Sequence, residues 1–134
     1  MDYYNLAEEP FSTAVELIDI GRYRMSVHMS TLAMDLYLKS ILYRIDPRSD
    51  YLVGHDHIGI FRLIEKRYPK PELSSLVKLS RKYFNSSRYS KTEDLSIYTK
   101  QLAQEFVAYA QQIKNYVDND CAASIDDLKN RFDR

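Results

Sequence analysis

His55, Asp56 and His57 form the densest run of chemistry-bearing side chains in the chain. Imidazoles exchange protons near neutral pH, and a carboxylate beside them can orient them. The same residue types bind zinc. Histidines two positions apart point to different sides of a helix, however, and no third ligand is evident, so no metal site is predicted. Two readings of the trio stay open. In one it contacts a nucleotide or phosphate. In the other Asp56 caps the following helix and a histidine packs against a neighbour. A second cluster is Arg88, Tyr89 and Lys91. If these precede a helix N-terminus, free amides and a guanidinium favour an anion there, and Tyr89 could stack on a base. The alternative is a solvated connection. Asp35 and Lys39 lie four apart in the favourable acid-before-base order and read as structural or interfacial. His28 shares their helix and reads as solvated or interfacial. Cys121 has no base beside it and is not expected to act as a nucleophile. No catalytic residue and no cofactor is assigned.

The elements that must position these groups read as helices. Of 134 residues only 3 are Gly and 4 are Pro, too few for the frequent turns of a sandwich or barrel. Twelve Tyr and 5 Phe within a 45% hydrophobic composition argue for a packed core rather than disorder. Apolar residues recur at three- and four-residue steps. That spacing predicts helices over residues 5–20, 22–44, 57–68, from 71 to about 87, and 93–119. Pro10 is expected to delay the regular part of the first helix to about Glu9. Asp46-Pro47 and Pro69-Lys70-Pro71 punctuate the chain. Thr92 resembles a cap, and Ser124 could cap a short helix within residues 120–134, which otherwise frays. The expected fold is an all-α antiparallel bundle of four to five helices in one domain over residues 1–134, with a core over about 5–117. Tyr-rich long helices, with Tyr37, Met29 and neighbouring methionines, point to an interface, most simply a two-fold homodimer.

Lys and Arg number 19, matching 19 Asp and Glu, so no global field draws the chain to nucleic acid or a membrane surface. No signal peptide is visible and no apolar run approaches a membrane span. One cysteine excludes an internal disulfide. The chain therefore reads as cytoplasmic, with no membrane partner and no DNA partner.

The order of local features resembles the HEPN domain family, and within it the nucleotidyltransferase-associated branch. Ile20-Gly21-Arg22-Tyr23 matches a Gly-Tyr-like turn before a long helix. Asp35 to Ile41 matches an acidic residue ahead of a Leu-Lys-Ala-like run, and His55-Asp56-His57-Ile58 matches a His-Asp-Leu-like helix start. Arg88-Tyr89-Ser90 matches an Arg-Tyr-Pro-like connection, with Ser in place of Pro. The resemblance covers about residues 5–117 and implies an all-helical fold. Many members are metal-independent RNases carrying Arg, four to six residues, then His at the start of the last main helix. No histidine follows Arg88 here. Arg22 to His28 and Arg48 to His55 have that spacing elsewhere, at the frequency expected by chance. What the resemblance implies is then a non-catalytic module that dimerises and binds a nucleotide or a small nucleotidyltransferase, in a toxin–antitoxin-like pair. The alternatives are a HEPN-type RNase, which leaves RNA open as a partner, and a purely structural helical adaptor.

Overall fold

The computed structural model describes residues 1–88 and 95–121. Among these residues all regular structure is helical. Five α-helices run α1 (Tyr3–Asp19), α2 (Tyr23–Ile45), α3 (His57–Glu65), α4 (Ser74–Arg88) and α5 (Lys100–Asn115). Helix α2 is the axis and touches each of the other four. Its buried residues run nearly all round, from Ser26 and Val27 to Ile41 and Leu42, as a helix with neighbours on several sides requires.

Helix α1 begins earlier than expected, at Tyr3. The Asp2 carboxylate accepts from the Asn5 amide at 3.1 Å and caps it. Pro10 sits inside the helix rather than at its start. An interior proline costs about 3 kcal/mol through its lost hydrogen bond and ring clash. Burial of the face formed by Ala7, Pro10 and Ala14 offsets that cost.

The α1–α2 turn has a specific geometry. Gly21 has φ of 76°, the Arg22 amide donates to the Leu17 carbonyl at 2.9 Å, and the Gly21 amide donates to Ile18 at 3.1 Å. This is a Schellman closure with glycine in the left-handed position. Nothing lies within 4 Å of where a Cβ would sit, so Gly21→Ala meets backbone strain alone. Its expected cost is about 1 kcal/mol, read as a lowered thermal midpoint.

Further boundaries differ from the periodicity. Helix α3 stops at Glu65, short of Tyr68. Helix α4 follows a 3-10 turn, Pro71–Leu73, and continues through the Asn85-Ser86-Ser87 cluster to Arg88. Ser87 is buried there and its hydroxyl donates to the Tyr83 carbonyl, so it satisfies the helix instead of competing with it. The long final helix is broken as well. A 3-10 turn, Leu95–Ile97, precedes α5, which starts at Lys100 with the Thr99 hydroxyl accepting from the Leu102 amide at 3.1 Å. A π-helical turn, Tyr116–Asp120, ends it. The Thr92 and Ser124 caps and the terminal helix lie outside the described residues.

The tyrosines are mostly spent inside the chain. Tyr37 is fully buried and meets Tyr4 and Phe11 edge-on at 5.3 and 6.2 Å. The Tyr116 hydroxyl donates to the Tyr68 carbonyl at 2.6 Å and ties α5 to the end of α3. Among the described tyrosines only Tyr43 and Tyr51 are exposed. Edge-to-face ring contacts within the chain engage most of the described tyrosines. Met29 is half-buried.

Candidate functional site

The site grows from one side of α2. Arg24, His28, Thr31, Asp35 and Lys39 recur at steps of four, three, four and four, which places them in one row. Helix α4 packs against this row and presents Ser80, Phe84 and Ser87 to it. The start of α3 brings in His55 and His57. Its entry is fixed by Asp56, whose carboxylate accepts from the Gly59 amide at 3.0 Å. Asp56 is thus the N-cap of α3, and Arg81 of α4 approaches it at 3.5 Å.

Asp35 is the hub and is fully buried. Its Oδ2 receives the Lys39 ammonium at 2.9 Å and His55 Nδ1 at 3.2 Å. Its Oδ1 faces His57 Nε2 at 3.6 Å. Neither of those last two atoms has a hydrogen-bond partner among the described residues, so each is the other's nearest solution. On its far side His57 Nδ1 meets the Ser80 hydroxyl at 2.8 Å. The facing carboxylate favours the Nε2–H tautomer of His57, with Nδ1 accepting from Ser80. Burial pushes the His57 imidazole down to about 4; the Asp35 charge opposes that shift and is outweighed. His57 is therefore neutral near pH 7.

Phe84 gathers all three histidines. His28 stacks on it at 5.1 Å, and His55 and His57 lie tilted against it at 4.7 and 5.3 Å. His28 Nδ1 lies 3.1 Å from the Ser87 hydroxyl. That hydroxyl spends its proton on Tyr83, so its oxygen accepts and His28 Nδ1 carries the hydrogen. Burial lowers the His28 pKa, and the Arg88 and Arg24 charges lower it further. Arg24 also donates from Nη1 to the Ser87 carbonyl at 2.6 Å, placing its charge at the C-terminal end of α4. His55 is the accessible member, with 41% of its side chain exposed. Its Nδ1 is the ring nitrogen spent on Asp35.

Arg24 also lines a cleft of about 300 Å³ with Gly21, Tyr23, Met25, Leu95 and Tyr98. The cleft and the imidazole cluster thus share a guanidinium. Among the described residues no group of three or more His, Cys, Asp or Glu is arranged to hold a metal ion.

The structure brings His55, His57, Asp35 and Lys39 into one cluster. Asp56 borders it as a cap, while Tyr37 and Met29 lie outside it. Arg88 is the last residue of α4, and its charge bears on His28; residues 89–94, which follow it, lie outside the described residues. Tyr89 and Lys91 lie outside the described residues. Sequence reasoning missed the convergence of His28, Ser80, Phe84 and Arg24. The spacing from Arg24 to Lys39 was the available signal for the α2 members.

No curated protein and no solved structure gives a significant match to this chain. A family model, described as HEPN domain, matches residues 1–120. With an all-helical bundle throughout the described residues and a match over most of its length, the chain belongs to the HEPN domain family.

Proposed function

We propose that the chain is a nucleotide- or phosphate-binding helical module that works with a partner chain rather than as a free-standing enzyme. One observation carries this reading: Arg24 stands both at the adjoining cleft and at the imidazole cluster, where the Arg88 charge also bears on His28. Guanidinium groups grip phosphate oxygens with paired hydrogen bonds. The adjoining cleft, with Tyr23 and Tyr98 in its wall, offers aromatic surface to a base. In keeping with family members that accompany nucleotidyltransferases, the partner we infer is a small nucleotidyltransferase in a toxin–antitoxin-like pair. The location we propose, from the sequence alone, is cytoplasmic. Among the described residues no helix is long and apolar enough to cross a membrane.

The test is calorimetric titration of the full chain with purine and pyrimidine nucleoside mono- and triphosphates. Binding is expected, and His28→Ala or Arg24→Ala is expected to weaken it about tenfold, the scale of one lost charge-assisted contact. Flat titrations with every nucleotide would overturn the reading and leave a structural adaptor.

A second reading is favoured by the imidazoles of His28 and His55, which both lie against Phe84. His55 on a buried carboxylate and a neutral His28 form the kind of pair that general acid–base cleavage of RNA needs. Cleavage that survives chelation, and that is lost in both His28→Ala and His55→Ala, would establish it. Intact RNA after prolonged incubation with pure protein would exclude it.

A further inference from the structure

Gly59 is the third residue of α3, and nothing in its backbone requires glycine. Among the described residues only Gly21 has a positive φ. Glycine inside a helix is less stable than alanine, so another cause keeps it here. That cause is space. A Cβ built on Gly59 would stand 2.3 Å from Tyr51 Cε1, 2.9 Å from Tyr51 Cδ1 and 2.7 Å from Asp56 Oδ2. The Tyr51 ring therefore lies on the first turn of α3, in the place a side chain would take.

A built connection brings the ring there. Between α2 and α3 the Asp46 carboxylate accepts from the Arg48 amide at 3.2 Å, and the Ser49 hydroxyl accepts from the Tyr51 amide at 3.3 Å. A 3-10 turn, Asp50–Leu52, follows, and the Val53 amide donates to the Asp50 carbonyl at 3.2 Å. Leu52 packs on the core and anchors the turn, while Tyr51 beside it stays 42% exposed. The Tyr51 hydroxyl forms no hydrogen bond among the described residues. The ring, not the hydroxyl, makes the contact with α3.

Beneath the ring is the segment that carries the candidate site. Asp56 caps α3 through the Gly59 amide, and Arg81 approaches the same carboxylate from α4 at 3.5 Å. The histidines on either side of this cap both reach Asp35, His55 Nδ1 at 3.2 Å and His57 Nε2 at 3.6 Å. His57 is also held by full burial and by Ser80. The His55 imidazole is partly exposed. Beyond its tilted contact with Phe84, only Asp35 holds it among the described residues. Its seat therefore depends on where the chain at the start of α3 is fixed.

We propose that Tyr51 is a positioning residue of the candidate site: its ring, resting on Gly59, clamps the start of α3 and so seats the His55 imidazole on Asp35. The ring at 51 and the missing side chain at 59 are one device, because the contact needs both. Tyr51 acts through Asp56 and the chain on either side of it. The assignment goes beyond the nucleotide reading and does not depend on it.

A double-mutant cycle in urea tests the clamp. Helix propensity alone predicts that Gly59→Ala raises the unfolding midpoint. The clamp predicts a lowered midpoint, because the methyl lifts the ring and crowds the Asp56 cap. In a Tyr51→Ala background that cost is expected to disappear, since Asp56 Oδ2 can turn into the space the ring leaves. A second measurement reads the site. At about pH 8, above the ordinary imidazole range, nitrogen NMR shifts report which ring nitrogen of His55 carries the hydrogen. Asp35 holds it on Nδ1 in the wild type. Tyr51→Ala is expected to release it, so that the Nε2–H form gains population, and Tyr51→Phe is expected to match the wild type. A contact that only added stability would leave the tautomer alone. Tyr51 lies outside the α-helices, and circular dichroism checks that each variant folds. If Gly59→Ala fails to fold, the two Tyr51 variants decide through the tautomer. A raised midpoint for Gly59→Ala with Tyr51 in place would overturn the proposal. So would a cost that persists unchanged without the ring, a His55 tautomer indifferent to Tyr51→Ala, or a Tyr51→Phe chain that behaves like Tyr51→Ala. Neither readout uses a nucleotide, so flat nucleotide titrations would remove the binding proposal and leave this one standing.

Discussion

Asp35→Leu is expected to cost about 3–5 kcal/mol of folding stability, the scale for stranding one half of a buried ion pair. Three donors converge on this carboxylate from two places: Lys39 from its own helix, and His55 and His57 from the start of α3. Lys39 is only 3% exposed. Without Asp35 its ammonium stays in the interior with no counter-charge, and desolvation outweighs whatever the leucine gains in burial. The double substitution Asp35→Leu with Lys39→Met removes both charges and is expected to recover most of the loss, because an apolar pair of similar volume often equals a buried ion pair. Urea denaturation of the wild type, the two single variants and the double variant measures the coupling directly. A single-variant cost below about 1 kcal/mol would mean that Lys39 finds water once Asp35 is gone, and that the hub is a surface pair.

The reach of the sequence follows from this arrangement. Helix α2 was legible end to end because it has no Pro or Gly and its apolar residues keep the helical period through six turns. The Asp56 cap was legible because a short acceptor before an apolar period has one structural use. Periodicity is blind where a tertiary contact overrules a local preference. Pro10 should open a helix, yet burial against α2 holds it inside one. Ser87 belongs to a residue type that competes for backbone hydrogen bonds, yet its buried hydroxyl bonds back to Tyr83 and supports His28. The Tyr98–Thr99 break is invisible to periodicity because the apolar step from Leu95 through Tyr98 to Leu102 reads straight across it. The candidate site was half legible for the same reason. The HEPN-like residues Asp35, Lys39, His55 and Asp56 are close in sequence to recognisable turns or helix starts. Phe84, Ser80 and Ser87 enter only because α4 crosses α2, and no local pattern encodes that crossing.

Acid is expected to weaken the fold, and His57 is a main cause. Its imidazole is fully buried and held at about 4, against the ordinary value of 6.5. A histidine whose folded pKa is depressed binds fewer protons in the native state than in the unfolded chain between those two values. Stability therefore rises with pH across that window. The contribution is complete above about pH 7, falls by about 2 kcal/mol on going to pH 5, and has lost about 3 kcal/mol in all below pH 4. His28 shifts in the same direction, so it adds to the slope over the upper part of the window. The groups facing His57 are Asp35, Lys39, His55 and Asp56, and of these burial overrides the Asp35 attraction that would have held the proton on. His57→Gln keeps a side chain able to accept from Ser80 and donate toward Asp35 while removing the titration. Unfolding free energies of the two proteins, measured by urea at pH 7.5 and at pH 5, should therefore diverge: the wild type loses about 2 kcal/mol more than the variant between them. Parallel pH profiles would mean that water reaches His57 in the folded state, which would also open the Asp35 hub to solvent and remove the reason for its tight geometry.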